Sequence, residues 1–334
     1  MKLLIISNNP SRASFRLRIG EYLEALEREG IDSEVCPLPP GALARQRLFK
    51  SSRAYDAVLL HRKCLNFRDA MVLGHYRPKL IFDFDDAIMY SPSRPQSDCT
   101  SHYRLFRRTA RMMDVMIAGN AYLAEHARRY CRQVVVLPTG LDVSAYRVQN
   151  RPTRSDTIRL VWIGSQSTLK YLAQLKSVLE SVGKKRKNVV LRIIADAFFD
   201  LNEMSVERRR WSLQTQAADL AGCDIGLSPL PDNRFTRGKC GFKLLQYFAA
   251  GLPVVASPVG VNATFINDSG AGLSASTPDE WTAAIERMID NIDSYRQWGQ
   301  NGRQYVQAFD KNVIGRQLCR IIKTAVENQS ETTK

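Results

Sequence analysis

The chain has 334 residues, of which 44% are hydrophobic and 24% are charged. At roughly 150 residues per domain this length predicts about two domains, and the composition excludes a disordered, collagenous or small disulfide-stapled chain. Lysine and arginine total 48 against 33 aspartates and glutamates, and the resulting charge of +15 indicates an anionic partner: a nucleic acid, a nucleotide, a phosphorylated lipid or a membrane surface.

The first half of the chain alternates short apolar runs with helical patterns. The first run is too short for a signal peptide, and no later stretch approaches the roughly 20 apolar residues that span a bilayer. A helix with Ile19, Tyr22, Leu23 and Leu26 on one face is expected to end at Gly30. Short apolar runs between helices predict buried parallel strands of an α/β fold. The predicted strands are residues 3–6, a strand around residue 35, and residues 57–60, 80–82, 115–118 and 134–137.

Residues 146–157 are polar and unpatterned, and we interpret them as a linker. The α/β pattern then restarts, with strands predicted at 160–163, 189–194, 225–227 and 254–256 and a helix through Leu172, Leu175 and Leu179. We therefore predict two α/β domains, residues 1–150 and 151–309.

Two further helices are predicted near the C-terminus. Thr277 to Glu280 form a capping box that begins an amphipathic helix carrying Trp281, Ile285, Met288 and Ile292. A last helix from about residue 311 to 328, within the segment 310–334, is expected to cross back to the first domain before a short polar tail.

The strongest local signal lies in residues 224–262, which read as a strand, a basic loop, a helix and a second buried strand. Lys239 and Lys243 are predicted one helical turn apart near the helix start, where free N–H groups and the helix dipole favour an anion. Gln246 follows one turn later on the same face. The arrangement suits a diphosphate clamp, and solvated surface lysines are the alternative.

Residues 238–255, Gly-Lys-Cys-Gly-Phe-Lys-Leu-Leu-Gln-Tyr-Phe-Ala-Ala-Gly-Leu-Pro-Val-Val, resemble the donor-binding signature of glycosyltransferase family 4. That family is retaining and has two Rossmann-like domains facing across a cleft, the GT-B fold. Its signature places two glutamates, separated by seven residues, before Ala-Gly-x-Pro-Val-Val. Here Gly238 stands at the first glutamate and Gln246 at the second, so the chain is a variant that lacks both. The resemblance implies that Gln246 holds the donor ribose.

The resemblance extends to the first strand of the second domain, which leads into Gly164, Ser165, Ser167, Thr168 and Lys170. These residues correspond to the loop that binds the donor phosphates. Ser165 stands where the family usually has an arginine, so the positive charge is expected from Lys239, Lys243 and Lys170. Asp196, with Trp211, lies where the resemblance places the nucleobase pocket.

In the first domain, polar residues follow the predicted strands. Asp85 and Asp86 follow a predicted strand that in the family often ends with a His-Asp pair near the sugar. The resemblance implies that they orient the donor sugar or acceptor hydroxyls. An Asp-x-Asp metal motif belongs to a different, single-Rossmann fold, so no metal is expected. His61 is a candidate cleft residue or a structural histidine. Arg16 and Arg18 either meet an anionic acceptor or are solvated.

Two basic runs stand outside these motifs. Arg104, Arg107, Arg108 and Arg111 have helical spacing, with Leu105 and Met112 available for the buried side, and a second run covers residues 184–187. Both are candidates for contact with anionic lipid head groups, and a solvated face is the alternative. Nucleic acid is disfavoured because no recognition motif or aromatic platform accompanies the charge.

The resemblance implies sugar transfer from a nucleotide-diphosphate-sugar to an acceptor hydroxyl with retention, in synthesis of bacterial lipopolysaccharide, exopolysaccharide or glycolipid. Lys243 and the loop amides would stabilise the leaving diphosphate, without a metal or other cofactor. The expected partners are a nucleotide sugar, a glycan or lipid-linked acceptor, and an anionic membrane contacted peripherally. Seven scattered cysteines favour the reducing cytoplasm. A nucleotide-sugar 2-epimerase of similar fold and a non-catalytic nucleotide-sugar-binding subunit remain alternatives.

Overall fold

A computed structural model of the chain describes residues 1–76, 78–146 and 157–327, which fall into two compact units. Unit 1 comprises Met1–Leu141, Asn233–Cys240 and Phe309–Lys334, and unit 2 comprises Asp142–Asp232 and Gly241–Ala308. The predicted boundary between residues 150 and 151, most of the predicted linker and the polar tail from residue 328 onward lie outside the described residues.

Unit 1 is built on a parallel sheet of six strands in the order β2-β1-β3-β4-β5-β6. The strands are β1 (Lys2–Ser7), β2 (Asp32–Pro37), β3 (Ala57–His61), β4 (Lys79–Phe84), β5 (Val115–Ala118) and β6 (Gln133–Val136). The helices between them are α1 (Ala13–Arg18), α2 (Leu23–Arg28), α3 (Ala42–Ser51), α4 (Phe67–Tyr76), α5 (Ser101–Met112) and α6 (Ala121–Arg128).

Alternate residues of the central strands fill two separate hydrophobic cores in unit 1. Leu4 and Ile6 of β1 pack on one side of the sheet, and Leu3 and Ile5 pack on the other. Side chains of a strand alternate between the two faces, so a continuous apolar run requires a covered sheet on both sides. The runs used to predict the strands are therefore explained by helices on both faces.

Unit 2 repeats this architecture with a parallel sheet in the order β12-β11-β10-β7-β8-β9. Its strands are β7 (Ile158–Ile163), β8 (Val189–Ala195), β9 (Ser205–Arg210), β10 (Ile225–Ser228), β11 (Val254–Ala256) and β12 (Gly272–Ser274). Its helices are α7 (Gln166–Ala173), α8 (Lys176–Lys185), α9 (Gln216–Ala221), α10 (Phe242–Ala249), α11 (Val261–Ser269), α12 (Pro278–Asp290) and α13 (Ile292–Tyr305). The predicted α/β class with two Rossmann-like sheets is confirmed.

The last helix, α14 (Lys311–Glu327), packs within unit 1. Ile314, Leu318 and Ile322 are almost fully buried in the core beside Tyr22. The Tyr22 hydroxyl in turn accepts a hydrogen bond of 3.1 Å from the Gly140 amide. Within the described part of the chain, no helix is long and apolar enough to cross a membrane.

Several predicted helices are shorter than their sequence patterns. The helix predicted through Ile19 and Leu26 is divided into α1, a 3-10 turn at Gly20–Tyr22 and α2, because Ile19 leaves the helical region at φ −134°. The helix predicted through Leu172 and Leu179 breaks between α7 and α8. Ile292, predicted to close the helix begun by the capping box, instead begins α13. Local turns thus divide helices that the spacing of apolar residues predicts as continuous.

Other differences concern which residues are buried. The buried side of α5 is formed by Phe106, Thr109 and Ala110, whereas Leu105 and Met112, expected there, are only partly buried. Two strands, β9 and β12, were not predicted, because β9 is largely charged and exposed and β12 is only three residues long.

Candidate functional site

In unit 1, polar residues gather at the carboxyl edge of the sheet. The parallel register aligns Ser7 with His61 and His61 with Asp83, so three polar residues end three neighbouring strands. Asp85 and Asp86 follow directly in the loop after β4. This edge of a parallel sheet is where open α/β folds bind ligands.

Asp83 belongs to the core rather than to an open site. It is fully buried, and the Arg18 guanidinium donates to both of its carboxylate oxygens, through Nε at 3.2 Å and through Nη2. Arg18 Nη1 also donates to the Leu137 carbonyl at 2.6 Å. Arg18, predicted on the acceptor side, is therefore 2% exposed and engaged inside unit 1. Arg16 lies nearer the surface, 3.8 Å from Glu21.

Arg62 is a site residue that the sequence interpretation missed. Its Nη1 lies 3.1 Å from Asp85 Oδ1, and its Nη2 donates to Asp86 Oδ2 at 2.9 Å. Arg62 has a φ of +56°, in the left-handed region that non-glycine residues seldom occupy. The backbone after β3 is thus held in a costly conformation while its guanidinium bridges two neighbouring carboxylates.

The two carboxyl groups of this cluster titrate differently. Burial raises the pKa of Asp85 to about 6, although Arg62 partly opposes the shift. Burial also acts on Asp86, but Lys239 and Arg62 outweigh it and hold the pKa of Asp86 below its ordinary value. Adjacent residues therefore provide one carboxyl that titrates near neutrality and one stable carboxylate, a pairing suited to proton transfer beside a fixed negative charge.

His61 is buried and neutral at physiological pH. It is 3% exposed, and burial lowers the pKa of His61 to about 4. Its Nδ1 lies 3.2 Å from Ser7 Oγ, and Nε2 has no hydrogen-bond partner among the described residues. Phe15 packs edge-on against its ring. His61 can thus offer a neutral ring nitrogen, but not a positive charge.

Lys239 joins the unit 1 cluster and not the helix on which it was predicted. Its ammonium lies 3.7 Å from Asp86, and its backbone is extended after a 3-10 turn at Thr236–Gly238. Helix α10 begins only at Phe242, after Gly241 in the left-handed conformation at φ +65°. The expected pair of lysines on one helical turn is therefore wrong, because this glycine separates the loop from the helix.

The segment Asn233–Cys240 is fastened to unit 1 by its backbone. Asn120, the N-cap of α6, donates through Nδ2 to the carbonyls of Gly238 at 3.0 Å and Lys239 at 3.2 Å. A Cβ on Gly238 would lie 2.6 Å from the Ala87 Cβ. The same Cβ would lie 3.0 Å from the Ala87 backbone nitrogen, so any larger residue at position 238 requires the packing against Ala87 to shift.

In unit 2, the predicted phosphate loop and Lys243 are brought together around Trp162. The ring of Trp162 lies so close to Gly164 that a Cβ there would stand 2.5 Å from it. The ammonium of Lys243 lies 5.3 Å from the centre of the same ring. Ser165 is the N-cap of α7, and its amide donates to Thr168 Oγ1 at 3.2 Å. The N-terminus of α7 and the Lys243 ammonium therefore lie beside the same indole ring.

Gln246 is held by a directional chain of hydrogen bonds. Trp211 Nε1 donates to Gln216 Oε1 at 3.1 Å, which fixes that oxygen as an acceptor. Gln246 Nε2 then donates to Gln216 Oε1 at 3.1 Å and to the Tyr146 hydroxyl at 3.2 Å. Both amide hydrogens are used, and Oε1 remains as an acceptor. A glutamate here could not donate to Gln216, so the network specifies a carboxamide.

The remaining predicted donor residues lie at the edge of this region. Asp196 is exposed at the end of β8, where the Trp211 amide donates to the Ala195 carbonyl at 3.2 Å. Lys170 is exposed on α7, 5.4 Å from the ring of its neighbour Tyr171. Ser167 lies in the first turn of α7, with its hydroxyl 2.9 Å from that of Ser165.

The candidate site residues thus fall into two groups, in which Arg62 and Trp162 join residues that were predicted from the sequence. The unit 1 cluster contains His61, Arg62, Asp85, Asp86 and Lys239, and the unit 2 cluster contains Trp162, Gly164, Thr168, Lys243 and Gln246. Among the described residues, no group of three or more His, Cys, Asp or Glu side chains is arranged to hold a metal ion. The sequence could not reveal Arg62 or Asn120, because their roles depend on contacts made far along the chain.

Part of the sequence resembles a known protein family. Residues 141–291 match the family described as Glycosyl transferases group 1. No curated protein sequence matches the chain significantly.

Solved structures resemble the chain along nearly its whole length. Sucrose-phosphate synthase from Thermosynechococcus elongatus is 14% identical, with a TM-score of 0.73 over 97% of this chain and 98% of that one. HepE of Anabaena, in complex with UDP and glucose, is 16% identical, with a TM-score of 0.69 over 97% and 99%. WaaG, a glycosyltransferase involved in lipopolysaccharide biosynthesis, is 14% identical, with a TM-score of 0.69 over 96% and 99%.

At these identities the structural likeness establishes the fold, while the sequence match covers the region that contains the unit 2 cluster. The chain therefore has the GT-B fold, and its residues 141–291 match the Glycosyl transferases group 1 family.

Proposed function

We propose that the protein transfers a sugar from a nucleotide-diphosphate-sugar to a hydroxyl group of a glycan or lipid-linked acceptor, with retention at the anomeric carbon. The proposed setting is synthesis of a bacterial cell-surface glycan on the cytoplasmic side of the membrane. HepE has been solved with UDP and with UDP-glucose, which supports the donor class. WaaG, involved in lipopolysaccharide biosynthesis, supports the pathway class.

The observation that carries the proposal is the convergence of the α7 N-terminus and Lys243 on Trp162 in unit 2. Backbone amides at a helix N-terminus favour a phosphate group, and a neighbouring ammonium adds charge-assisted hydrogen bonds. Gln246, on the same helix as Lys243, presents a fixed carboxamide oxygen that can accept from a ribose hydroxyl. A diphosphate and a ribose are the two donor parts that these groups recognise.

In the proposed reaction, the bond between the anomeric carbon and the phosphate oxygen breaks, and the acceptor oxygen bonds to that carbon on the same face. The proton of the acceptor hydroxyl passes to the departing phosphate oxygen. Negative charge grows on the departing diphosphate, where Lys243 and the α7 amides stabilise it more in the transition state than in the ground state. We assign this stabilisation to the protein alone, without a metal. Asp85 and Asp86 would orient hydroxyl groups of the sugar and acceptor, with His61 beside them.

The assignment of Lys243 can be tested by binding of UDP, measured by titration calorimetry. Lys243→Ala removes a charged donor to the diphosphate, so UDP affinity should fall by about 10- to 100-fold. Lys176→Ala is the matched control. Lys176 also lies over an aromatic ring of unit 2, Phe199 at 4.6 Å, but it begins a different helix. This control should bind UDP like the unchanged protein.

Turnover provides the second measurement, with UDP-glucose as the first donor and other nucleotide sugars screened by thermal shift. Lys243→Arg keeps the charge and should retain more activity than Lys243→Ala. If Lys243→Ala turns over every accepted donor at the original rate, the phosphate assignment is wrong.

A further inference from the structure

Helix α5 carries an unusual concentration of positive charge on its outer face. It contains four arginines and no acidic residue over Ser101–Met112. Their spacing of three and four residues places them on one side of the helix, where they line a common cavity. The lining residues of this cavity are Arg104, Arg107, Arg108 and Arg111.

None of these four arginines forms an ion pair with another described residue, in contrast to the second basic run. There, Lys185 pairs with Glu286 at 2.8 Å, Arg186 with Asp290 at 2.6 Å and Lys187 with Glu203 at 2.9 Å. Like charges at these helical spacings destabilise a helix. The charge of α5 is therefore left to be neutralised from outside the chain, whereas that of the second run is neutralised within it.

Exposed apolar side chains lie beside these arginines. Phe67 and Met71 stand one turn apart on α4 and are 65% and 59% exposed. The Arg108 guanidinium lies 5.8 Å from the centre of the Phe67 ring, so the two helices share this surface. Apolar side chains can enter the acyl layer of a bilayer, and neighbouring cations can bind the lipid phosphates. Together these two kinds of side chain bind anionic bilayers.

We propose that the surface formed by Phe67, Met71, Arg104, Arg107 and Arg111 docks on an anionic lipid bilayer. Nucleic acid fits it less well, because base stacking uses several aromatic platforms along a basic groove, and this surface pairs one aromatic ring with a flexible methionine. The proposal concerns unit 1 alone and does not depend on the proposed sugar transfer.

Sedimentation with vesicles tests the proposal without any measurement of activity. The full chain should bind vesicles of phosphatidylglycerol and phosphatidylcholine at low salt, and should not bind phosphatidylcholine alone. The variant R104Q/R107Q/R111Q should lower the partition coefficient by about a hundredfold, or about fivefold per charge. The variant F67S/M71S should lower it by about tenfold and leave the salt dependence unchanged, because it removes no charge.

The matched control is K185Q/R186Q/K187Q, which removes the same net charge from the paired run in unit 2. It should bind vesicles within about threefold of the unchanged protein, since those charges are already neutralised. Equal losses in both triple variants would overturn the proposal, because binding would then follow net charge alone. Full release by millimolar inorganic phosphate at constant ionic strength, or equal arginine-dependent binding to a duplex oligonucleotide, would also overturn it. Circular dichroism spectra of all variants should match, which separates lost docking from lost folding.

Discussion

At the residue scale, the three aspartates at the end of β4 show how unit 1 accommodates close negative charges. Burial of an unpaired carboxylate is costly, and neighbouring carboxylates repel one another. Asp83 is compensated by Arg18, Asp85 by Arg62, and Asp86 by Arg62 and Lys239. Asp83 is thereby used for the core, while Asp85 and Asp86 remain in the site.

The buried His61 should make stability depend on pH. In the folded chain the pKa of His61 is about 4, and in the unfolded chain it returns to about 6.5. Between these values the unfolded state binds more protons. The contribution of His61 is therefore fully present above about pH 6.5 and is lost as the pH falls toward 4. His61→Gln should reduce the fall in unfolding free energy over this window by about 3 kcal/mol.

Urea denaturation of both proteins at several pH values measures this difference. Asp85 acts in the opposite direction, because its pKa of about 6 lets the folded state bind the extra proton between pH 6 and 4. Both proteins share that effect, so subtraction of their unfolding free energies isolates His61. Parallel pH profiles for the two proteins would contradict the assignment.

At the element scale, the sequence predicts strands well and their mutual contacts poorly. Apolar runs identify β7 or β10 directly, because parallel strands covered on both faces must be apolar. They miss β9, whose residues are stabilised by ion pairs such as Arg192–Glu207 rather than by burial. The bridge from Arg62 to Asp86, 24 residues away, depends on strand register and leaves no local signature.

The segment Asn233–Cys240 packs closely against the rest of unit 1 at Gly238. Gly238→Ala should destabilise the protein by about 1–3 kcal/mol, because its Cβ would overlap Ala87 and would disturb the hydrogen bonds from Asn120. Gly74→Ala is the control within unit 1. Gly74 lies in α4, where a Cβ has room at 3.8 Å from Met112. Helix propensity should there make the protein equally or slightly more stable.

Urea midpoints for the two alanine variants decide the outcome. If Gly238→Ala is as stable as the unchanged protein, the packing of this segment against Ala87 does not exclude a side chain at position 238.

At the scale of the whole molecule, unit 1 is assembled from three separate stretches of chain, and α14 completes its core. Leu318→Ala should cost about 2–5 kcal/mol, because Leu318 is fully buried. The loss should appear in unit 1. Cys131 of unit 1 and Cys223 of unit 2 are both buried and report on the two units separately.

Thiol labelling followed by mass spectrometry measures both cysteines in one sample. Leu318→Ala should accelerate labelling of Cys131 by about 30-fold or more and leave Cys223 nearly unchanged. Leu179→Ala, a fully buried leucine of α8 in unit 2, should produce the reverse pattern. Equal acceleration of both cysteines in either variant would show that the units do not open separately.

The three-part construction of unit 1 also orders events during synthesis. When residue 308 is added to the growing chain, every residue of unit 2 has been made, whereas the α14 face that covers Tyr22 has not. The first 141 residues therefore keep the apolar surface around Tyr22 uncovered until α14 has been made, during which time unit 2 can fold. A translational pause or a stop before α14 would leave unit 1 with this apolar surface uncovered even though unit 2 is complete.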